Sequence, residues 1–516
     1  MSNKNPDFKS FRDSFDKYQK KSKPSKFIDT EFDGLFDGNT EKSKTEKDNE
    51  LLLQSGKLIT FNTEQYDGIG KIRIWLKAKA VTFFTLAGPA GSGKSTILKK
   101  ILDEFYGGVV VSAPTHKAVS VIQKITNIEG LTLHALCGLR PDVSLDEFNP
   151  NSPIFNPIAI PRITDYNLVI IDEASMINKE LFELIKILTK NSRTKVLFVG
   201  DSCQIPPVGE KESVIFFQDD IEKYSLNKIE RQKDTNPILI VADSLRNNLN
   251  RVDGGFERKS NINELGEGVL FTVDKKDFRE LILQKFMSKE FNKNMDFCKG
   301  IAWKNETVMQ SNKIVRNAIF NENSDIIEIN DIIMGYRTIT DESQRYCIIK
   351  NSIDYRVVEK SNLEENQYEI KGYRVKLRED LSDNQYKFQD VFIVNSDDCD
   401  NLQTYAEMHD YFSDMGKSNK KMWRKYYEFR RNNLVMSNIT KFRNGYLRGS
   451  GEVIVKDLDY GYFVTCHKVQ GSTYNHVAII LSDIEKNWTL KERNQLFYTS
   501  LTRPTLTATI LCNRID

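Results

Sequence analysis

A chain of 516 residues is longer than one ordinary hydrophobic core can organise, so several domains are expected. Hydrophobic residues make up 39% and charged residues 28%, the balance of a soluble protein with large surfaces, and a net charge of +2 excludes capture of a polyanion by a global field. No run approaches the roughly twenty apolar residues of a membrane span, and seven scattered cysteines without a C-x-x-C pair argue for free thiols in a reducing compartment and against zinc, so a cytoplasmic setting is expected, the host cytoplasm if the source is viral.

Residues 1–50 are rich in Lys, Asp, Ser and Asn and nearly lack aliphatic side chains, a composition expected to stay disordered. Within this tail, Glu31-Phe32-Asp33-Gly34-Leu35-Phe36-Asp37 alternates acid and aromatic groups. It is a candidate docking motif for a protein partner, set against a plain solvated tail.

The first folded domain is expected over residues 51–235. A helical pattern at Ile69, Ile72, Trp75 and Leu76 follows Gln65, whose carboxamide offers the donor and the acceptor that an adenine edge needs, although a surface glutamine near a helix start would look the same. The strand Phe83–Ala87 then runs into Gly88-Pro89-Ala90-Gly91-Ser92-Gly93-Lys94-Ser95-Thr96, which fits G-x-x-x-x-G-K-[ST]. The glycines let backbone N–H groups converge on phosphate, the helix that follows adds its positive end, Lys94 supplies a point charge, and the Ser95 hydroxyl suits Mg²⁺. A nucleoside triphosphate site is the reading.

Gly108–Ala118 is a buried strand breaking into Pro114-Thr115-His116, and Leu131–Leu136 carries His134. Hydroxyl and imidazole groups beyond strand ends suit contacts to a nucleic-acid backbone, whereas each alone reads as a helix cap. From 139 to 162 the chain turns irregular, with prolines at 141, 150, 153, 157 and 161. Regularity returns at Asn167–Ser175, an apolar strand ending in Asp172-Glu173: one carboxylate for Mg²⁺, one to orient and deprotonate water. After the strand Lys195–Gly200, Gln204 lies in a loop stiffened by Pro206 and Pro207, where an amide can sense a γ-phosphate, and Arg231 is a candidate charge stabiliser.

A second domain of the same kind is expected over 236–329 and 455–516. Ile301–Asn305 reads as a strand end in which Trp303 belongs to the core more than to a base stack, with Asn312 and Arg316 on the next helix. Between the two parts, residues 330–397 show short alternating runs such as Tyr373–Leu377 and Val391–Val394, a small antiparallel barrel. Residues 401–435 turn helical, and Lys417–Arg431 interleaves basic and aromatic groups. That pattern suits single-stranded nucleic acid or, equally, an amphipathic helix with a solvated face. Tyr462–Thr473 and Phe497–Arg503 return to strand and helix patterns.

Taken in order, GPAGSGKST, APTHKA, TLHAL, IIDEAS, GDSCQIPPV, LNKIERQ, VTCHKVQGST and FYTSLTR resemble the motifs of superfamily 1 DNA helicases, in the RecD-like branch that includes the phage Dda helicases. The resemblance spans residues 61 to about 505, with long stretches between motifs that carry none. It implies an α/β fold of two RecA-like P-loop domains, parallel sheets flanked by helices. A β-hairpin insertion at 139–162 interrupts the first, and an SH3-like β-barrel plus helical segment at 330–454 interrupts the second.

By that resemblance ATP and Mg²⁺ are the cofactors and single-stranded DNA and its junctions with duplex are the partners of a monomeric enzyme. Gln65 would meet adenine; Gly88 to Thr96 the phosphates, with Gln470 and Gly471 reaching the nucleotide from the second domain; Ser95 and Asp172 the metal. Lys94, Asp172, Glu173, Gln204, Arg231 and Arg503 would be catalytic, Arg231 and Arg503 as arginine fingers. Pro114, Thr115, His116, His134, Thr465 and His467 would contact DNA, and Phe155, with Phe148 second, would tip a duplex-splitting pin. Pro504 departs from the alanine usual after that arginine. Travel would be 5′ to 3′ in replication or recombination. One alternative is a DNA-stimulated ATPase that displaces bound proteins without separating strands; another is a P-loop kinase or switch, which the set Gln204, Arg231 and Arg503 disfavours.

Overall fold

In a computed structural model the described residues are 50–52, 58–79, 81–141, 155–157, 160–207, 209–228, 236–342, 346–381, 385–440, 442–443, 446–447 and 453–516. The acidic and aromatic motif of the tail lies outside them. The chain divides into two compact units, residues 1–234 and 235–516.

The first unit is built on six strands: β1 (Phe83–Ala87), β2 (Val109–Ala113), β3 (Gly130–Thr132), β4 (Leu168–Ile171), β5 (Lys195–Gly200) and β6 (Glu222–Ser225). They form one sheet in the order β6-β1-β5-β4-β2-β3, every pair parallel. Parallel strands need covering on both faces, which explains the unbroken apolar runs of β4 and β5. Alternation then assigns the faces. Val110, Val169, Val196 and Phe198 pack toward the helix Lys179–Thr189, while Val111, Ile170, Leu197 and Val199 pack toward the helices Thr63–Lys77 and Lys94–Glu104. Each large side chain buried there contributes about 1.5–3 kcal/mol. The helix Thr63–Lys77 begins at a capping box, with Asn62 Oδ1 accepting from Gln65 N at 2.8 Å and Gln65 Oε1 accepting from Asn62 N at 3.2 Å.

Within the 139–162 insertion, Leu139–Pro141 and Phe155–Pro157 pair antiparallel, Pro141 opposite Phe155. Phe155 therefore stands in the paired base of this insertion, and Phe148 lies outside the described residues. The side chain of Phe155 is likewise outside them.

In the second unit the strands of the two larger sheets are β7 (Asn261–Ile262), β8 (Gly268–Thr272), β9 (Cys298–Ala302), β10 (Ile332–Gly335), β11 (Asp354–Lys360), β12 (Glu364–Glu365), β13 (Lys371–Asp380), β14 (Tyr386–Val394), β15 (Leu458–Tyr460), β16 (Phe463–Thr465), β17 (Tyr474–Ile480) and β18 (Pro504–Leu511). One sheet runs β7-β8-β18-β17-β9-β16 and is parallel except for β7 at its edge. Its strands come from both ends of the unit because β10 to β15 interrupt it.

The interruption is an antiparallel sheet, β14-β13-β11-β10-β15, with β12 also on β13. Its ends are joined by residues 434 and 435. Leu434 exchanges hydrogen bonds with Phe392 and Val394 of β14, while Asp457 and Leu458 donate to Val435 O. The ring so closed surrounds Ile333, Tyr355, Val357, Val375, Leu377, Ile393 and Leu458. Asn312, on the helix Asn305–Phe320, ties this insertion to the parallel sheet: its amide donates to Tyr460 O and Phe463 O, both at 3.0 Å, and its oxygen accepts from Phe463 N at 2.7 Å.

Part of the basic and aromatic segment packs inward. Tyr426 and Phe429 of the helix Trp423–Asn432 are buried against Tyr405, His409 and Phe412 of the helix Cys399–Ser418. Arg430 is buried on Asp457 at 2.7 Å, and Arg424 and Arg431 pair with Glu342. This is an amphipathic helix with a solvated lysine face. No helix among the described residues is long and apolar enough to cross a membrane, and all seven cysteines are free thiols.

Candidate functional site

The register of the first sheet brings its strand ends to one edge. Ala87 pairs with Gly200, Ile171 with Phe198 and with Ser112, so the loops after β1, β5, β4 and β2 leave the sheet side by side. Ligands bind at this carboxyl edge in open parallel sheets.

After β1, Gly88 N donates to Gly200 O at 3.1 Å, which fixes the first turn on the neighbouring strand. Gly91 and Gly93 adopt φ of 84° and 88°, left-handed conformations that glycine takes without steric cost. The helix Lys94–Glu104 starts at once, with Thr96 N and Ile97 N both donating to Gly93 O at 3.0 Å. The Lys94 ammonium folds back over the turn, donating to Gly88 O at 2.6 Å and Pro89 O at 2.8 Å. The Ser92 hydroxyl is buried without a hydrogen-bond partner. Gln65 donates from Nε2 to Ser92 O at 3.0 Å. With its oxygen in the capping box, the carboxamide braces the loop, and an adenine contact would require it to exchange these bonds.

Asp172 follows β4. Its backbone N–H donates to Ser112 O at 2.8 Å, and its Oδ1 accepts from Glu173 N at 2.9 Å. Glu173 itself sits at φ 52°, ψ 43°, a left-handed conformation that costs a non-glycine residue about 1–3 kcal/mol and is found at functional sites. The turn 173–175 packs onto the end of β5, where a Cβ on Gly200 would lie 3.1 Å from Ala174 N. Beyond β5, buried Asp201 holds the next loop by accepting from Cys203 N at 3.0 Å and Gln204 N donates to Asp201 O at 3.2 Å. Lys94, the acid pair and Gln204 thus share one edge. Asp201 escaped the sequence reading, which weighed Gln204 alone; its place directly after an apolar strand, like that of Asp172, was the available signal.

The backbone-contact candidates fall on the next strands of the same edge. Thr115 Oγ1 accepts from Ala118 N at 3.2 Å, so its hydroxyl caps the helix His116–Thr126; Pro114 precedes it, half-buried. His134 lies on the short helix Leu133–Leu136, and burial lowers its pKa to about 4, leaving a neutral imidazole that can offer a hydrogen bond but no charge. Arg231 lies outside the described residues.

In the second unit, β16 ends at Thr465, and the loop to β17 holds His467, also kept neutral by burial, then buried Gln470 and Gly471 at φ 74°. Arg503 is drawn into this loop. It is buried, donating from Nη1 to Ser472 O at 3.2 Å, from Nε to Thr499 O at 2.9 Å and from Nη2 to Thr502 Oγ1 at 2.8 Å. Two motifs that lie more than thirty residues apart in sequence are therefore one structural piece, as Tyr474 N donating to Arg503 O at 3.0 Å repeats. Pro504 opens β18 opposite Tyr474, and the register shifts by one residue before the next pair, His476 with Thr507.

Comparison with known proteins agrees with this layout. Residues 71–265 match the family described as AAA domain, and residues 460–510 match the UvrD-like helicase C-terminal domain. The uncharacterized protein R530 of Acanthamoeba polyphaga mimivirus is 26% identical over 502 residues, 86% of this chain and 98% of that one. The ATP-dependent DNA helicase dda of Enterobacteria phage T4 is 27% identical over 259 residues, 48% of this chain and 55% of Dda. RecBCD enzyme subunit RecD of Buchnera aphidicola (Schizaphis graminum) is 24% identical over 489 residues, 86% of this chain and 72% of RecD. These matches make the chain similar to superfamily 1 helicases of the RecD-like branch. The two matched regions include the P-loop sheet edge and the loop that Arg503 braces.

Proposed function

We propose that this chain is an ATP-dependent DNA helicase that moves 5′ to 3′ on single-stranded DNA and opens duplex in replication or recombination. The observation that carries the reading is the common sheet edge, where register aligns the phosphate-binding turn with Asp172, Glu173 and Gln204. The unpartnered Ser92 hydroxyl and the left-handed glycines fit a phosphate-binding turn, and the oxygen donors of Ser95 and Asp172 fit a hard cation.

In this reading the N–H groups from Gly88 to Thr96 cradle the phosphates, Lys94 leaves its carbonyls for the terminal phosphates, and Gln65 trades its brace for adenine. Ser95 and Asp172 hold Mg²⁺, which supplies charge neutralisation on the phosphates. Glu173 takes the proton of the attacking water, and Gln204 senses the γ-phosphate. Arg231 and Arg503 stabilise charge as the bond to the leaving group breaks, with Gln470 and Gly471 at the nucleotide. Pro114, Thr115, His116, His134, Thr465 and His467 hold the DNA backbone without reading sequence. The insertion based on Leu139–Pro141 and Phe155–Pro157 acts as the pin, the closed ring of β10 to β15 is the SH3-like barrel, and one chain suffices.

The test is strand separation on matched 5′-tailed and 3′-tailed duplexes with ATP. Unwinding of the 5′-tailed substrate alone is expected. ATP hydrolysis stimulated by single strands with no separation of either substrate would overturn the helicase reading in favour of a protein-displacing ATPase.

A further inference from the structure

Two consecutive side chains at the start of the helix Thr63–Lys77 hold two different segments of the first unit. Gln65 Nε2 donates to Ser92 O of the phosphate-binding turn at 3.0 Å. Glu64, one residue earlier, takes the segment that follows β6: its Oε2 accepts from Asn227 N at 2.9 Å and from Lys228 N at 3.0 Å. The same stripe of the helix also grips β6 itself. Tyr224 OH donates to Glu64 O at 2.9 Å, Lys71 Nζ lies 4.9 Å from the centroid of the Tyr224 ring, and a Cβ on Gly68 would lie 3.0 Å from that ring. Between these contacts, buried Leu226 donates from its N–H to Ala87 O at 2.9 Å, and a Cβ on Gly88 would lie 3.0 Å from the Leu226 Cβ. Residues 226–228 are thus clasped between the start of the phosphate-binding turn and the start of the helix.

One carboxylate oxygen that takes two successive N–H groups fixes the direction of the backbone there, because both donors must point at a single atom. Each bond is charge-assisted, and the second position of a helix suits a negative side chain. Arg231 follows Lys228 by three residues, a span of chain of at most about 10 Å. A charged group misplaced by about one ångström at a reacting centre loses on the order of 10²-fold in rate. The anchor of this segment therefore bears on the chemical step more than on nucleotide binding.

We propose that Glu64 is the positioning residue for Arg231: by holding the backbone of residues 227 and 228 it sets where that guanidinium enters the nucleotide site. The proposal rests on the ATP-hydrolysing helicase reading, and its test separates the two. ATP turnover by the full chain is measured with saturating single-stranded DNA, beside equilibrium nucleotide binding, for the wild type, Glu64→Ala, Arg231→Ala and the double variant. Glu64→Ala is expected to lower kcat about 10- to 100-fold with nucleotide affinity kept. The double variant should turn over no more slowly than Arg231→Ala, because the carboxylate acts only through that arginine. Glu64→Gln, whose Oε1 still accepts a hydrogen bond, should recover part of kcat. Glu64→Asp keeps the charge at the helix start but draws it back by one methylene, and should not recover it.

A wild type that hydrolyses no ATP would sink the helicase reading itself. With wild-type turnover established, any of four results overturns the positioning role and leaves that reading standing: wild-type kcat in Glu64→Ala, wild-type kcat in Arg231→Ala, a full further loss in the double variant, or a Glu64→Ala defect confined to nucleotide affinity. Should Glu64→Ala prove unfolded by circular dichroism, Glu64→Asp decides alone, since wild-type kcat in that variant overturns the proposal.

Discussion

Two strand-to-helix turns, Ala87 to Lys94 in the first unit and Ala302 to Asn305 in the second, begin alike and end with opposite electrostatics. Each leaves a buried strand of a parallel sheet and enters a helix of three or more turns. In the first, left-handed Gly91 and Gly93 widen the turn into a cradle whose only internal cation, Lys94 among the residues of the turn, is parked on the loop's own carbonyls. In the second, the turn is two residues long, and the N–H groups of Trp303 and Lys304 donate to Asp483 Oδ2 at 3.0 and 2.8 Å. Asp483 is 1% exposed. A helix start attracts an anion either way. In the proposed function the first unit keeps that position for the nucleotide phosphates, as a receptor, whereas the second fills it with its own carboxylate, as a joint.

The sharpest way to break this contrast is to disable the receptor. Glu173→Gln is expected to lower ATP turnover by about 10²–10⁴-fold with ATP binding retained, followed by phosphate release and equilibrium nucleotide binding. Turnover at the wild-type rate would remove Glu173 from the role of base. A smaller loss should follow Gly93→Ala. Its φ of 88° and a Cβ 2.2 Å from Gln65 Nε2 both penalise a side chain, so ATP should bind about tenfold or more weakly. Adding Gln65→Ala would relieve the clash and leave the dihedral strain, recovering only part of the affinity.

The joint should respond in stability instead. Asp483→Ala leaves two backbone N–H groups without their acceptor and is expected to destabilise the second unit by about 1–3 kcal/mol in urea unfolding. ATP affinity should not change. A loss of ATP affinity comparable to that of Gly93→Ala would mean that the two turns are not functionally distinct.

The turn proposed as the receptor was legible in sequence because its conformation depends on local geometry: glycine for positive φ, Lys94 and Ser95 at the helix start, acids after an apolar strand. The joint was not, because its partners Trp303 and Asp483 lie 180 residues apart and nothing local marks a carboxylate as an acceptor for a distant turn. The same reasoning explains the segment Lys417–Arg431. Its composition suits a nucleic-acid surface, but burial of Tyr426 and Phe429 is decided by the partner helix Cys399–Ser418, which composition does not reveal. Strand periodicity disclosed the antiparallel strands of the insertion, while the closure through Leu434 and Val435 depends on two residues outside any strand. Thr115 shows the converse, a motif residue whose hydroxyl is a helix cap in the fold.

The smallest expected effect is on pH, and it compares the units directly, since each holds a histidine that burial brings down to about 4. His134 in the first unit and His476 in the second are both brought down to about 4, His476 with Thr507 Oγ1 at 2.7 Å from its Nδ1 and the Phe297 ring beside it. A folded-state pKa below the ordinary 6.5 means that the unfolded chain takes up the proton first. Stability is therefore fully present above pH 6.5 and declines as pH falls from there toward 4, by at most about 1.4 kcal/mol per pH unit for each histidine and less where water reaches the ring. His134→Gln and His476→Gln should each flatten that decline when urea midpoints are compared at pH 7, 6 and 5. Flattening by one variant alone would identify the unit whose opening limits acid stability, and no flattening by either would mean that both rings accept a proton without unfolding.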